Sequence, residues 1–322
     1  MAAIRPGILV AAVALSGALG GPAPAAAQGA VQVPPIEAHT LVSKQVGDSF
    51  RIQVLLPPML PGERTRFPVL YMTDVNGEFM GAEALRMMML GDVPRFIAVG
   101  IGYPGVTSLM QTLDIRARDL TPPVDTGAAS GGIGVPIAGA LAPSRTSGGA
   151  PQFLEFIRQE LIPFIDARYP TDPGDRGYWG DSLGGLFGCY ILFTKPETFG
   201  RYIIGSPSLW WGNEDMLAVA KRFTETRDDL RARVFLGVGS LEEASADMSR
   251  FRMVTNVHRL ERLLRDRRYP GLTLSTYLFP DESHTTVAMM NLIKGLVAVY
   301  GPPKESFMAT AAARLAKPAE RQ

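Results

Sequence analysis

The chain has few residues of the kinds that cross-link a fold or bind metals. It contains one cysteine, Cys189, and three histidines among 322 residues. A single cysteine excludes an intrachain disulfide, and its place inside the apolar run 186–193 predicts a packed core thiol rather than a reactive one. The sequence also lacks a Cys/His cluster and a Gly-rich phosphate loop. We therefore expect no metal and no other cofactor.

The chain also lacks a strong excess of charge of either sign. Its formal net charge is +1, which is far from the basic footprint of nucleic-acid-binding proteins. After Gln28 there is no apolar stretch of the roughly 20 residues that a membrane-spanning helix needs. We expect no nucleic-acid partner and no membrane span in the mature chain, and the oligomeric state stays open.

The N-terminus is typical of a secretory signal peptide. Arg5 precedes a short apolar run over 8–19, and alanines at 25–27 offer a cleavage site. The pattern predicts a signal peptide over 1–27 and export to the periplasm or beyond. The alternatives are a retained anchor or a disordered tail. We further expect a flexible leader over 28–40, a catalytic domain over 41–302 and a C-terminal tail over 303–322.

Segments of strand and helix character alternate along the domain. Such alternation favours an α/β protein of one domain, with a mostly parallel central sheet and helices on both faces. The predicted strands are 49–56, 67–72, 96–101, 176–180, 202–205, 234–238 and 272–279, and the predicted helices are 83–90, 151–169, 183–194, 253–265 and 286–300. Residues 113–150, rich in Gly, Pro, Ser and Thr, predict a long loop that is either an active-site cover or a floppy insertion.

The strongest chemical motif is Gly-Asp-Ser-Leu-Gly-Gly at residues 180–185. It matches Gly-x-Ser-x-Gly between a predicted strand and a predicted helix, which is the context that a nucleophile turn requires. Glycines on either side of the serine leave room for a strained bend that exposes its hydroxyl. The motif predicts Ser182 as a nucleophile and the N–H of Leu183 as an oxyanion donor. The alternative is an inert Gly-rich turn.

A nucleophilic serine needs a base, and the base is usually histidine. His39 precedes the first predicted strand, and His258 lies on a charged helix face. His284 lies on a loop after a late strand, where the base is expected.

The acid of the triad should lie between the serine and the histidine in chain order. Glu242 and its neighbour Glu243 are both candidates, because both follow the strand 234–238, and Glu242 is preferred. Asp281 and Glu282 are expected to be solvated loop charges. A Ser/His dyad without an acid is the alternative.

Other site residues follow from neighbouring loops. A second oxyanion donor is expected after the strand 67–72, at the N–H of Val75 or Asn76, although a plain Asn-Gly turn is the alternative. Trp210 is a candidate pocket wall and Trp211 a packing residue. Asp181, beside the nucleophile, is with Trp210 a candidate substrate contact.

At these residues the chain resembles the esterase D / enterochelin-esterase-like family of α/β-hydrolases. The resemblance runs from about residue 50 to 300 and is densest in Pro-Val-Leu-Tyr-Met-Thr-Asp (68–74), in 160–169 leading to 180–185, and in Ser-Pro-Ser-Leu-Trp-Trp (206–211), with the loop 281–284 also fitting. It implies the α/β-hydrolase fold and Ser182, His284 and Glu242 as a triad. Two departures are Asp181, where many relatives carry His, and Val75, where many carry Gly.

The resemblance implies esterases acting on siderophore esters, feruloyl esters, acyl thioesters and related small acyl compounds, and some relatives are acyltransferases. We therefore expect a serine carboxylic-ester hydrolase that acts on small acyl, aryl or siderophore-type esters through an acyl-enzyme. Its expected partner is a small-molecule ester. The alternatives are acyl transfer on the same scaffold and a non-catalytic binding protein on a hydrolase fold.

Overall fold

The computed structural model describes residues 36–60, 62–73, 78–123 and 147–301. In these ranges the chain forms one eight-stranded sheet with the order β1-β2-β4-β3-β5-β6-β7-β8. Pairing is antiparallel between β1 and β2 and between β2 and β4, and parallel through the rest of the sheet. The strands are β1 (Ile36–Val42), β2 (Ser49–Leu55), β3 (Phe67–Met72), β4 (Ile97–Gly102), β5 (Thr171–Asp181), β6 (Arg201–Gly205), β7 (Ala232–Gly239) and β8 (Leu272–Phe279).

Helices cover both faces of the sheet. Successive side chains of its central strands point in opposite directions, so each strand contributes apolar side chains to the core on each face. On one face, Trp179, Ile203 and Phe235 pack in one core with residues of the first and last described helices. On the other face, Tyr178, Tyr202 and neighbouring side chains pack against the remaining long helices. The helices are α1 (Glu78–Leu90), α2 (Leu109–Leu120), α3 (Ala150–Phe156), α4 (Ile162–Asp166), α5 (Leu183–Thr194), α6 (Trp211–Thr226), α7 (Ala246–Ser249), α8 (Met253–Arg267) and α9 (Val287–Tyr300).

This architecture is the predicted α/β-hydrolase arrangement, a mostly parallel sheet between two helical layers. The predicted strand over 272–279 has the bounds of β8, and the predicted helix over 183–194 has those of α5. Cys189 lies in the core, as predicted, and its burial raises the pKa of the thiol. No helix in the described ranges is long and apolar enough to cross a bilayer.

The boundary predicted for the leader is wrong at its C-terminal end. Residues 36–40, predicted as part of a flexible leader, lie in β1, which pairs with β2 from Ile36 opposite Leu55 to Val42 opposite Ser49. The sequence does not show this strand because β1 is an edge strand with four of its seven residues exposed. His39 therefore lies within the first strand rather than before it. The predicted signal peptide and the tail over 303–322 lie outside the described residues.

The loop predicted over 113–150 is wrong in its first part, which is helical. Helix α2 runs to Leu120, and Ser108 caps it by accepting a hydrogen bond from the Gln111 N–H at 3.2 Å. Only one side of α2 is buried, and its apolar side chains there are Leu113, Ala117 and Leu120. So few apolar residues make a weak helical pattern that is easily missed in the sequence. Residues 124–146 lie outside the described residues, so the predicted cover stays a prediction.

The predicted helix over 151–169 is present but is not uniform. It consists of α3 and α4 joined by a π-helical segment, Ile157–Leu161, and Pro163 lies inside α4. A proline within a helix removes one backbone donor, and a wider turn next to it is a common accommodation. Helix α6 has no counterpart among the sequence predictions.

Candidate active site

The predicted site residues lie at the carboxyl ends of neighbouring parallel strands. Strands β5, β6, β7 and β8 are adjacent in the sheet. Ser182 directly follows β5, Glu242 lies in a short 3₁₀ helix after β7, and His284 lies in the turn after β8. Because parallel strands end at the same edge of the sheet, residues far apart in sequence meet there.

Ser182 lies in a sharp bend between β5 and α5. Its backbone has φ 61° and ψ −117°, a conformation that L-residues rarely adopt. The bend requires close backbone contacts. A Cβ atom on Gly180 would lie 2.6 Å from the carbonyl oxygen of Gly184, and one on Gly185 would lie 2.3 Å from that of Gly205. The steric explanation for Gly180, and for close packing of α5 at Gly185, is therefore confirmed.

Ser182, His284 and Glu242 form a continuous hydrogen-bonded chain. Oγ of Ser182 is 2.9 Å from Nε2 of His284. Nδ1 of the same imidazole is 2.5 Å from Oε2 of Glu242. When Nδ1 carries the imidazole proton, its N–H donates a hydrogen bond to the carboxylate. Nε2 is then unprotonated and can accept a hydrogen bond from the serine hydroxyl. This is the arrangement in which a histidine can take a proton from a serine.

The structure distinguishes between the two candidate acids. Glu242 is 1% exposed, and besides meeting His284 it accepts a hydrogen bond from the Gly239 N–H at 2.7 Å. Glu243 instead accepts from the backbone and hydroxyl of Thr255 on α8, at 2.7 and 2.6 Å. Only Glu242 therefore contacts the imidazole.

The turn that carries His284 is tied to the segment that carries Glu242. The Leu241 N–H donates to the carbonyl of Glu282 at 3.0 Å, and the Asp281 N–H donates to Oγ of Ser240 at 2.9 Å. Asp281 is exposed, as predicted for a solvated loop charge, whereas Glu282 is only partly exposed. These hydrogen bonds hold His284 and Glu242 in register.

The surroundings of His284 favour its protonated form. Burial acts to lower the pKa of His284, but the hydrogen bond and the charge of Glu242 outweigh it and raise the pKa above its ordinary value. The Asp181 carboxylate also acts to raise it, and Arg116 on α2 acts against this. An imidazole in this setting is stabilised when it holds a proton taken from Ser182.

Asp181 does not fit the predicted role of substrate contact. The residue is 8% exposed, and its Oδ1 accepts a hydrogen bond from Nδ2 of Asn291 on α9 at 3.0 Å. Its side chain thus belongs to a buried polar network rather than to a surface that a substrate could reach.

Two serines beside the chain of three were not predicted as site residues. Oγ of Ser208 is 3.4 Å from Oγ of Ser182, and Oγ of Ser206 donates to Oε1 of Glu242 at 2.7 Å. Both lie in Ser-Pro-Ser-Leu-Trp-Trp (206–211), in which Trp210 was the only predicted site residue. Asn291 was missed as well, because an asparagine in an apolar helix has no local pattern to identify it.

The tryptophan pair divides as the sequence suggested. Trp211 is buried, whereas Trp210 is partly exposed and its ring lies 5.1 Å from that of Phe251. The guanidinium of Arg250 lies over the Phe251 ring, 4.8 Å from its centre. Trp210 thus forms part of an aromatic surface bordered by a cation, and its role as a pocket wall stays a prediction.

The other candidates lie elsewhere or outside the described residues. His39 contacts the Tyr169 hydroxyl at 2.6 Å, and His258 faces Glu261 on α8. Within the ranges 36–60, 62–73, 78–123 and 147–301, no group of three or more His, Cys, Asp or Glu side chains could hold a metal ion. Val75 and Asn76, the candidates for the second oxyanion donor, lie outside the described residues.

Comparisons with known proteins give a consistent family. Residues 43–277 match the family model described as "Putative esterase". The chain is 29% identical over 273 residues to the ferri-bacillibactin esterase BesA of Bacillus subtilis, covering 80% of this chain and 87% of that protein.

Solved structures agree with the sequence comparison. The BES protein from Bacillus cereus superposes with a TM-score of 0.69 at 29% identity, over 84% of this chain and 98% of that one. The siderophore hydrolase EstB from Aspergillus nidulans gives a TM-score of 0.70 at 26% identity, over 84% and 97%.

Proposed function

The chain belongs to the family described as "Putative esterase", and we propose that it cleaves its substrate through a triad of Ser182, His284 and Glu242. It is a carboxylic ester hydrolase. The observation that carries the proposal is the unbroken hydrogen-bonded chain from Ser182 Oγ through the imidazole of His284 to Glu242. A nucleophile, a base and an orienting acid within hydrogen-bond reach are the parts that acyl transfer to a serine needs.

In the proposed reaction, Oγ of Ser182 attacks the ester carbonyl while Nε2 of His284 takes its proton. The imidazolium then gives that proton to the departing alcohol, and an acyl-enzyme remains. A water molecule, deprotonated by the same imidazole, attacks the acyl carbonyl and releases the acid and the free serine. Glu242 stays a carboxylate throughout, and it stabilises the imidazolium and keeps the proton on Nδ1.

The negative charge that develops on the carbonyl oxygen needs donors. Leu183 is the first residue of α5, so its N–H has no acceptor within the helix and lies at the positive end of the helix dipole. We assign it as one oxyanion donor. The second donor is proposed at the N–H of Val75 or Asn76, in the turn after β3.

For the substrate we propose an ester of the siderophore type or a related aryl ester. The support comes from the relatives, two of which are named as a ferri-bacillibactin esterase and a siderophore hydrolase. The surface of Trp210 and Phe251, with Arg250 above it, offers stacking and a positive charge to an electron-rich aromatic acyl group.

The test is to label the purified protein with a fluorophosphonate probe and to screen p-nitrophenyl, feruloyl and catecholate esters. We expect a covalent adduct on Ser182, found by peptide mass spectrometry, and turnover that Ser182→Ala removes. Ser208→Ala is the matched control, because it removes a neighbouring hydroxyl while leaving the nucleophile. Adduct formation on another residue, or equal turnover by Ser182→Ala, would contradict the assignment.

We also propose that the chain is exported, with cleavage after Ala27. The support is the sequence pattern of residues 1–27 alone. Expression of the full chain in a bacterial host, followed by mass measurement of the periplasmic product, would show a mature chain that begins at Gln28. An uncleaved chain in the cytoplasm would exclude this proposal.

A further inference from the structure

Glu242 uses only one of its two carboxylate oxygens to contact His284. The other, Oε1, accepts two hydrogen bonds at 2.7 Å, from the Gly239 N–H and from Oγ of Ser206. Ser206 is completely buried and lies directly after β6, with φ 36°, where a residue other than glycine is strained. Packing alone would be satisfied by a glycine at this strained, buried position. The serine hydroxyl that contacts the proposed triad acid therefore calls for a functional explanation.

The direction of the Ser206 hydroxyl is set by a second buried residue. Nδ2 of Asn291 lies 3.4 Å from Oγ of Ser206 and can only donate. The serine oxygen must therefore accept from the amide, so its single proton is free to go to Glu242. The Asn291 amide and the Glu242 carboxylate thus require the same direction, in which Ser206 accepts from the first and donates to the second.

The orientation of Asn291 is in turn set by Asp181. The same Nδ2 donates its other proton to Oδ1 of Asp181 at 3.0 Å. If the amide were turned over, its oxygen would face the carboxylate, and the two acceptors would repel each other. The polar groups therefore form one directed series, from Asp181 through Asn291 and Ser206 to Glu242.

The fold accommodates Asn291 at a visible cost. A Cβ atom on Gly205 would lie 2.7 Å from Nδ2 of Asn291, and one on Gly237 would lie 2.0 Å from Oδ1, so both neighbouring strands need glycine there. Among the described residues, Oδ1 of this fully buried amide has no hydrogen-bond partner. A leucine would avoid that unsatisfied oxygen. The asparagine is therefore explained by what its Nδ2 group does.

We propose that Ser206 and Asn291 are positioning residues that hold the Glu242 carboxylate in the orientation in which it meets His284. This role presupposes the proposed triad. Neither residue touches the reacting atoms, and both act through Glu242. The Ser-Pro-Ser turn after β6 is then part of the catalytic support, rather than only the approach to the tryptophans.

The experiment removes each polar group with little change in volume. Ser206→Gly takes away the hydroxyl and relieves the strained φ, Ser206→Ala takes it away and keeps the strain, and Asn291→Leu replaces the amide by an apolar group of similar size. We expect kcat for p-nitrophenyl acetate to fall about 10-fold in each, by analogy with residues that support metal ligands. KM should stay within about twofold, since no substrate contact is lost.

Two further measurements separate positioning from general damage. In a Glu242→Gln background, Ser206→Gly and Asn291→Leu should cause no further fall in kcat, because the group through which they act has gone. In the Ser206 variants, a looser Glu242 should move the acidic limb of kcat/KM to lower pH. The hydrogen bond from His284 to Glu242 raises the pKa of the imidazole, while the charges of Asp181 and Arg116 facing it are unchanged.

Asn256→Leu is the control, because Asn256 is an equally buried asparagine on α8 that contacts Arg259. It should lower the thermal unfolding midpoint without altering kcat or the pH profile. Should Asn291→Leu fail to unfold cooperatively, the two Ser206 variants decide.

A kcat within twofold of the wild type in the Ser206 variants would overturn the proposal. The proposal would also be overturned if Ser206→Gly and Asn291→Leu lowered kcat as much in the Glu242→Gln background as in the wild type. A wild type no faster than Ser182→Ala would instead remove the triad itself, which is a distinguishable failure.

Discussion

At the carboxyl ends of β5 to β8, polar side chains are buried and bonded to one another, whereas at the amino ends they form ion pairs near the surface. Ser206 and Asn291 are fully buried and bonded to each other, and Ser206 donates to Glu242 of the proposed triad. At the opposite end, the guanidinium of Arg201 binds the Asp175 carboxylate with two hydrogen bonds, at 2.6 and 2.7 Å, and the two side chains are 20% and 24% exposed.

The backbone differs between the two ends as well. Ser182 follows β5 with φ 61°, and Ser206 follows β6 with φ 36°. Such conformations cost roughly 1–3 kcal/mol each when the residue is not glycine. At the carboxyl ends, stability is lost to backbone strain that holds side chains in fixed directions. At the amino ends, the sheet is held by partly solvated ion pairs. Substitutions at the two ends should therefore affect different quantities.

The largest expected effect is on catalysis, at Glu242. Glu242→Gln should lower kcat on the order of 10³-fold, because an amide can favour the wrong tautomer of His284 and cannot balance the imidazolium charge. The measurement is steady-state hydrolysis of p-nitrophenyl acetate.

Glu243→Gln is the matched control, because Glu243 is the next residue and contacts Thr255 instead. Its kcat should stay within about twofold of the wild type. Equal losses in the two variants would mean that the contact between Glu242 and His284 does not support catalysis.

The next effect is on stability, where glycines of the two ends can be compared. Gly185→Ala should lower the free energy of unfolding by about 1–3 kcal/mol, because its Cβ would lie 2.3 Å from the backbone oxygen of Gly205. Gly200→Ala, just before β6 at the amino end, meets no atom within 4 Å and should change it little. Urea unfolding of both variants checks the difference, and equal destabilisation would show that the carboxyl end is no more tightly packed.

A smaller loss of stability is expected at the amino end. Arg201→Met should cost about 1–2 kcal/mol, because it leaves the partly buried Asp175 carboxylate without its partner. The kcat should not change, since this residue lies at the end of the sheet remote from the triad. Arg231→Met removes an exposed partner of Asp229 and should leave urea unfolding unchanged. A fall in kcat for Arg201→Met would break the separation between the two ends.

The smallest effect concerns pH. His284 must be neutral to accept a proton, so kcat/KM should fall as pH drops through its pKa, which lies above the ordinary value for histidine. Asp181 acts to raise that pKa and Arg116 acts to lower it. Asp181→Asn should therefore move the acidic limb to lower pH, and Arg116→Gln should move it to higher pH. The pH profile of kcat/KM for each variant is the measurement, and shifts of the same sign would contradict the assignment.

The sequence by itself determined the fold class and identified Ser182 and His284 as the candidate nucleophile and base. Continuous apolar runs mark strands that are buried on both faces, and β3 is one of them. The spacing around Ser182 indicates a strand-to-helix bend, because its glycines answer a local steric need. With three histidines in the chain, elimination was sufficient to select His284. Each of these inferences depends on neighbours in sequence or on composition, and both can be read along the chain.

Only the tertiary structure decided between Glu242 and Glu243, which are adjacent residues of the same type. It moved Asp181 from the predicted substrate surface into a buried network, and it brought Asn291 of α9 next to Ser206 after β6. The edge strand β1 also emerged only there, because an exposed edge needs no apolar alternation. The physical reason is common to these cases. Hydrogen bonds between residues 85 or 110 positions apart depend on where strands end and helices pack, and no local pattern encodes those positions.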